Sequence, residues 1–380
     1  MGPLQGLRII EIGSIGPGPF CAMLLADMGA DVIRIDRRDG RGNFLDLEPP
    51  AQVLHRNRRS IAMDLKNPAA VSALLRLCEG ADGLIEGFRP GVMERLGLGP
   101  EVCARANPAL VYGRMTGWGQ DGPLAAQVGH DINYVALSGV LGMIGKAGEP
   151  PTTPLNIVGD MGGGGLLLAF GMLCALHEAR QSGAGQVVDA GMVEGSALMA
   201  SLVYAMRAGG CWQDRRESNL LDGGAPFYGV YETADGRFIA VGALEPPFYS
   251  ALLQGMGLDE AALPPQMDQA SWPALKQRFA KTFKSRSRAE WEEVFADTDA
   301  CVTPVLSVSE APLHPHNIAR KTFSTPDGVL QASAAPRFSR TPPGLTRSPP
   351  KPGEHTAEVL GECGFSDDEI VALGNAGAVK

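Results

Sequence analysis

Leu7-Arg8-Ile9-Ile10-Glu11-Ile12, followed by Gly13-Ser14-Ile15-Gly16-Pro17-Gly18-Pro19, is the stretch that decides the fold. The first run is apolar and rich in β-branched isoleucine, which predicts a strand, and the second is made of turn formers. Residues 20–28 then read as an apolar helix stopped by Gly29, and 31–35 as a second strand. Strand, turn, helix and strand make a βαβ unit, in which the helix carries the chain back so that the strands lie parallel. The rhythm repeats: Asn67-Pro68 offer a cap and a first-turn proline for a helix ending near Gly80, and 83–86 follows as a strand. Further strands are expected over 110–115 and 185–188, each before a glycine-bearing turn. Alternation kept through residue 205 predicts an α/β fold with a Rossmann-like large domain, its parallel sheet covered on both faces.

The pattern changes after that. Residues 206–226 carry Gly209, Gly210, Gly223 and Gly224 among mixed charges and read as a linker. Strands over 228–232 and 237–241 flank Asp235-Gly236, a hairpin signal, and helical patterns over 247–256, 272–283 and 289–296 complete a smaller α+β domain spanning 227–320. The final segment, 321–380, is expected to return to the large domain: 336–352 holds six prolines and reads as an extended crossing, and Ser366-Asp367-Asp368-Glu369 is a capping box opening the last helix.

Composition narrows the function. A net charge of −9 over 380 residues argues against a nucleic-acid partner, since phosphate-backbone binding needs a basic surface. The seven cysteines are scattered with no CxxC pair, and the histidines His55, His177, His314, His316 and His355 lack metal-ligand spacing, so neither a disulfide framework nor a metal is expected. A cytoplasmic location fits that usage, and no secretory or lipidation signal is read at the N-terminus. The longest apolar run, 161–176, is diluted by glycines and is expected to be a buried helix too short to cross a bilayer, so no membrane partner is expected.

Several residues invite chemistry, each with a plainer alternative. The first turn has its glycines in the wrong order for GxGxxG, and its two prolines remove amide donors that a pyrophosphate would need. Arg37 and Arg38, Arg56-Asn57-Arg58-Arg59, and Arg89 and Arg95 around Pro90-Gly91 suggest a polyphosphate ligand, although a solvated charge run or surface ion pairs would look the same. His130, after Gly129 at the start of a helix running through residue 143, suits acid–base work or simple capping. Asp160 precedes four glycines that let a backbone or a ligand come close, and an N-cap role is the plain alternative. Glu245 stands where the hairpin ends and a helix begins, with capping again the default. No GxSxG, HExxH or GxxxxGK[ST] is present.

The sequence resembles the class III coenzyme A transferases (CaiB/BaiF superfamily), and within them the α-methylacyl-CoA racemases. The residues that carry this are Gly6-Leu7-Arg8 through Arg37, Arg56-Asn57-Arg58-Arg59, Phe88-Arg89-Pro90-Gly91, Arg114-Met115-Thr116-Gly117-Trp118-Gly119, Gly129-His130-Asp131-Ile132-Asn133-Tyr134, Gly159-Asp160, Leu221-Asp222-Gly223-Gly224-Ala225-Pro226, Cys301-Val302-Thr303-Pro304-Val305 and Gly353-Glu354-His355-Thr356, in order along nearly the whole chain. The resemblance implies an interlocked homodimer that shares each site between chains and an acyl-CoA substrate without a cofactor. Its reaction is inversion of the α-carbon of a 2-methylacyl-CoA thioester, a step of fatty-acid and lipid metabolism. It places His130 and Asp160 as the acid–base pair, Glu245 from the partner chain as the group orienting the histidine, and Asp131, Asn156 and Gly159 as their support. Arg37, Arg38, Arg95, Arg59 and Arg89 would hold the CoA phosphates, while the divergent stretch 39–54 leaves the adenosine end unassigned. The GHDINY run favours the racemases, because the transferases use the matching aspartate as a nucleophile that forms an acyl anhydride and typically lack the histidine. That transferase reaction at Asp160 is the alternative.

Overall fold

The computed structural model describes residues 2–40 and 47–380, so part of the divergent stretch, 41–46, lies outside the described residues. The chain divides into two compact units, Met1–Ser138 with Leu155–Met199 and Ile318–Lys380, and Gly139–Pro154 with Ala200–Asn317. The stretch 206–226, read as a linker, thus lies inside the second unit, and the second unit also takes 139–154.

The first unit is built on a six-stranded parallel sheet in the order β3-β2-β1-β4-β5-β6. Its strands are β1 (Arg8–Ile12), β2 (Asp31–Arg37), β3 (Arg58–Met63), β4 (Gly83–Glu86), β5 (Val111–Thr116) and β6 (Val187–Gly191). The strand order reverses between β1 and β4, and the crevice beyond the carboxyl ends of strands at such a point is where ligands bind in open α/β sheets. β1 is buried on both faces, as a sandwiched parallel strand must be. Ile10 and Ile12 pack on one side with α2 (Pro68–Glu79) and with Val359 and Leu360 of the returning C-terminal segment, while Ile9 packs on the other with α1 (Pro17–Asp27) and Leu168 and Met172.

Three local expectations need correction. β3 was read only as a cluster of cations, because two arginines open it; their aliphatic stems lie in the layer, while buried Glu11 takes the charge of Arg58 and the more exposed Asp31, Glu358 and Glu362 take that of Arg59. The helix expected through residue 143 ends at Leu137 and restarts at Val140, because Gly139 adopts φ 86°, where a right-handed helix cannot continue. The run expected as a short buried helix is a π-helix, Ile157–Leu166, continuing as an α-helix, Leu167–Ser182. At 26 residues it is long and apolar enough to cross a membrane by length and composition alone. Leu168, Met172 and Leu176 face the core, but Leu166 and Phe170 stay exposed.

In the second unit, β7 (Tyr228–Glu232) and β8 (Phe238–Gly242) form an antiparallel hairpin that β9 (Val302–Pro304) extends. The helices Pro246–Gly255, Trp272–Phe283 and Arg288–Phe295 close over an aromatic core of Phe227, Tyr231, Phe279, Phe283 and Trp291. Burying each such ring contributes about 1.5–3 kcal/mol.

Candidate active site

His130 is the N-cap of the helix Asp131–Leu137, held extended at φ −132° and ψ 171°. Its own N–H donates to Asn133 Oδ1 at 3.0 Å, and the Tyr134 hydroxyl donates to the carbonyl of Gly129 just before it. The imidazole is thereby carried on a pinned backbone with its ring exposed. Asp131, next along, is buried, and its Oδ1 accepts the backbone N–H of Asp160 at 2.6 Å. That bond ties the histidine helix to the π-helix, and it needs Gly159: a Cβ there would stand 2.5 Å from Asp131 Oδ1.

Asp160 is not an N-cap; Asn156 is, and Asp160 lies inside the π-helix. Its Oδ2 accepts from Asn156 Nδ2 at 3.1 Å and rests against the Gly16 turn before α1, where an added Cβ would stand 3.1 Å away. Burial raises the Asp160 carboxyl above the ordinary carboxylate range; the Asn156 hydrogen bond opposes this, the Asp131 charge adds to it, and His130 pulls it down. His130 and Asp160 therefore lie within electrostatic reach of each other. An imidazole and a half-buried acid with a raised pKa can exchange roles as proton acceptor and donor.

The glycines after Asp160 serve backbone contact. Cβ atoms on Gly163 and Gly165 would strike the Ser196 nitrogen at 2.7 Å and the Pro17 carbonyl at 2.7 Å. The close approach they permit is thus taken by protein.

The arginines divide sharply. All three guanidinium nitrogens of Arg59 donate to carboxylates, those of Asp31, Glu358 and Glu362. Arg56 pairs with Asp27, and Arg58 with Glu11, which also takes Arg34. This buried network was legible in the sequence only as one glutamate inside an apolar strand. Arg37 and Arg38, at the carboxyl end of β2, are exposed, with Arg37 on Asp39 and Arg38 on the Val379 carbonyl. Arg89 and Arg95 are exposed beyond β4, and Arg89 is close enough to act on the Tyr134 hydroxyl. Glu245, in the second unit, is exposed at the start of the helix Pro246–Gly255, where Pro246 and Pro247 have no N–H to give, and its side chain makes no capping bond. Its carboxylate is left available.

The profile of the family described as CoA-transferase family III matches residues 4–356. The α-methylacyl-CoA racemase of Mus musculus is 50% identical over 374 residues, covering 97% of this chain and 96% of that protein. The human α-methylacyl-CoA racemase is 48% identical, with 97% and 96% covered. A succinyl-CoA–D-citramalate CoA-transferase of Chloroflexus aurantiacus is 32% identical, with 98% and 96% covered. Among solved structures, a CaiB/BaiF family protein from Brucella suis superposes with a TM-score of 0.81 at 24% identity, covering 95% of this chain and 99% of that one.

Proposed function

This chain belongs to CoA-transferase family III, and on that premise we propose that it is an isomerase that inverts the α-carbon of 2-methylacyl-CoA thioesters without a cofactor. The observation that carries the reading is near-50% identity, over almost the full length, to two relatives named as racemases of such thioesters. The relative named as a citramalate CoA-transferase stands at 32%.

Inversion needs a proton taken from one face of the α-carbon and another delivered to the opposite face. His130 takes the α-proton, the C–H electron pair moves into the thioester as an enolate, and the protonated Asp160 carboxyl returns a proton on the other side. The reverse direction exchanges the roles. The raised pKa of Asp160 supports this, because the delivering group must hold its proton when the cycle begins. Asn156, Asp131 and Gly159 support the reading by holding Asp160 in place. Glu245 orients His130 from the partner chain of an interlocked homodimer. That assembly is supported by the apolar side chains of Leu166, Phe170, Leu198 and Met199, which lie exposed along two helices of the first unit. Arg37, Arg38, Arg89 and Arg95 remain the candidates for the CoA phosphates. A cytoplasmic site of action in fatty-acid metabolism completes the proposal, with the free cysteines as its support.

The test is a panel of (R)- and (S)-2-methylacyl-CoA thioesters followed by chiral analysis. Convergence of both epimers on one mixture is expected, whereas transfer of CoA to an added carboxylate with the α-centre intact would replace this reading by the transferase.

A further inference from the structure

The loop before His130 is held by the capping bond from Asn133 and by a second side-chain bond that packing alone does not require. The Tyr134 ring lies under both glycines of its surroundings: a Cβ on Gly117 would stand 2.0 Å from the ring, and one on Gly129 2.7 Å from it. Trp118 closes the ring edge-on at a centroid distance of 4.7 Å, leaving Tyr134 7% exposed. A phenylalanine would fill that slot equally well. The hydroxyl is what differs, and it is spent on the Gly129 carbonyl, one residue before the imidazole. On the other side Asn133 holds the His130 N–H. The peptide that carries the histidine is thus gripped at its carbonyl and at its amide by two side chains of the helix that follows.

We propose that Tyr134 and Asn133 are positioning residues that fix the His130 imidazole at its face of the α-carbon, acting on the histidine arm of the reaction and not on the Asp160 arm. Asp160 is held by other side chains, Asn156 on its carboxyl and Asp131 on its amide. Tyr134 also lies in the field of Asp160, as the upward push on its hydroxyl pKa, from burial and then from that charge, indicates. A loosened backbone lets the imidazole drift, and drift of a proton-transfer group of order 1 Å costs up to about 100-fold in rate.

This rests on the two-base reading given above, and the experiment separates the two. Tyr134→Phe and Asn133→Ala are incubated in heavy water with each epimer of a 2-methylacyl-CoA, and initial rates are read for racemisation and for α-hydrogen exchange with retention. Each variant should racemise about tenfold or more slowly at unchanged KM. Exchange with retention should fall for the epimer that a His130→Ala variant can no longer exchange and persist for the one it still exchanges. Both retention rates falling equally, wild-type kcat in both variants, or a change in KM alone would overturn the proposal. A wild-type protein that exchanges no α-hydrogen would instead overturn the two-base reading beneath it.

Discussion

Replacing Gly16 by alanine puts one methyl group between α1 and the candidate acid. Gly16 has φ 68° and ψ −115°, the mirror image of an extended conformation, open to glycine and strained for any L-residue by about 1–3 kcal/mol. In a domain of this size that lowers Tm by about 2–4 °C per kcal/mol. The new Cβ would also stand 3.1 Å from Asp160 Oδ2 and 3.5 Å from its Cγ, so the carboxyl must retreat by a few tenths of an ångström. The retreat strains the bond from Asn156, because that bond ends on the same oxygen. A displacement of this size in a proton-transfer group should lower kcat by about tenfold. Gly6→Ala supplies the control: Gly6 has φ 90°, and nothing lies within 4 Å of the added Cβ. The assay is racemase kinetics beside thermal unfolding for both variants. Gly16→Ala should lose stability and kcat together, and Gly6→Ala stability alone. Wild-type kcat in a folded Gly16→Ala protein would refute the reasoning that seats Asp160 at the reaction centre against this turn.

Arg37→Ala should raise KM for acyl-CoA with little change in kcat, as should removal of the 3′-phosphate from the substrate, because such contacts are equal in ground and transition states. Arg59→Ala should leave KM unaltered and lower stability by about 1 kcal/mol, because it removes ion pairs to the solvent-accessible carboxylates of Asp31, Glu358 and Glu362, and urea unfolding reads this. Co-expressed His130→Ala and Glu245→Ala subunits should regain activity as a purified heterodimer, and continued inactivity would place both residues in one chain's site. In the direction where Asp160 is the base, it must be ionised, so activity falls as pH drops through its pKa. Since burial raises that pKa, the acid limb of kcat should lie above the ordinary carboxylate range, and Asn156→Ala should move it higher by removing the bond that opposes the shift.

Local periodicity made most of the first unit's sheet legible, because parallel strands sandwiched between helices keep short, mostly apolar runs, as in β1 and β4. β3 escaped because its opening arginines are neutralised by carboxylates far away in sequence, a pairing that no local window contains. The same long-range chemistry separates Arg59 from Arg37: both belong to charged runs, and only the fold surrounds one with three acids. At the site, the six-residue run from Gly129 to Tyr134 drew attention to His130, but nothing local told that Asp131 would hold the Asp160 amide or that Tyr134 would hold Gly129. The π-helix was invisible for a related reason. Its register is set by glycines packing on Pro17 and Ser196, contacts made across the domain.

The central claim is that His130 and Asp160 work on opposite faces of one carbon, and exchange with retention in heavy water tests it most directly. Incubated with each pure epimer, His130→Ala and Asp160→Ala should both fail to racemise, and each should exchange the α-hydrogen of one epimer only, the two variants choosing opposite epimers. Exchange of the same epimer by both variants, or racemisation by either at the wild-type rate, would contradict the account.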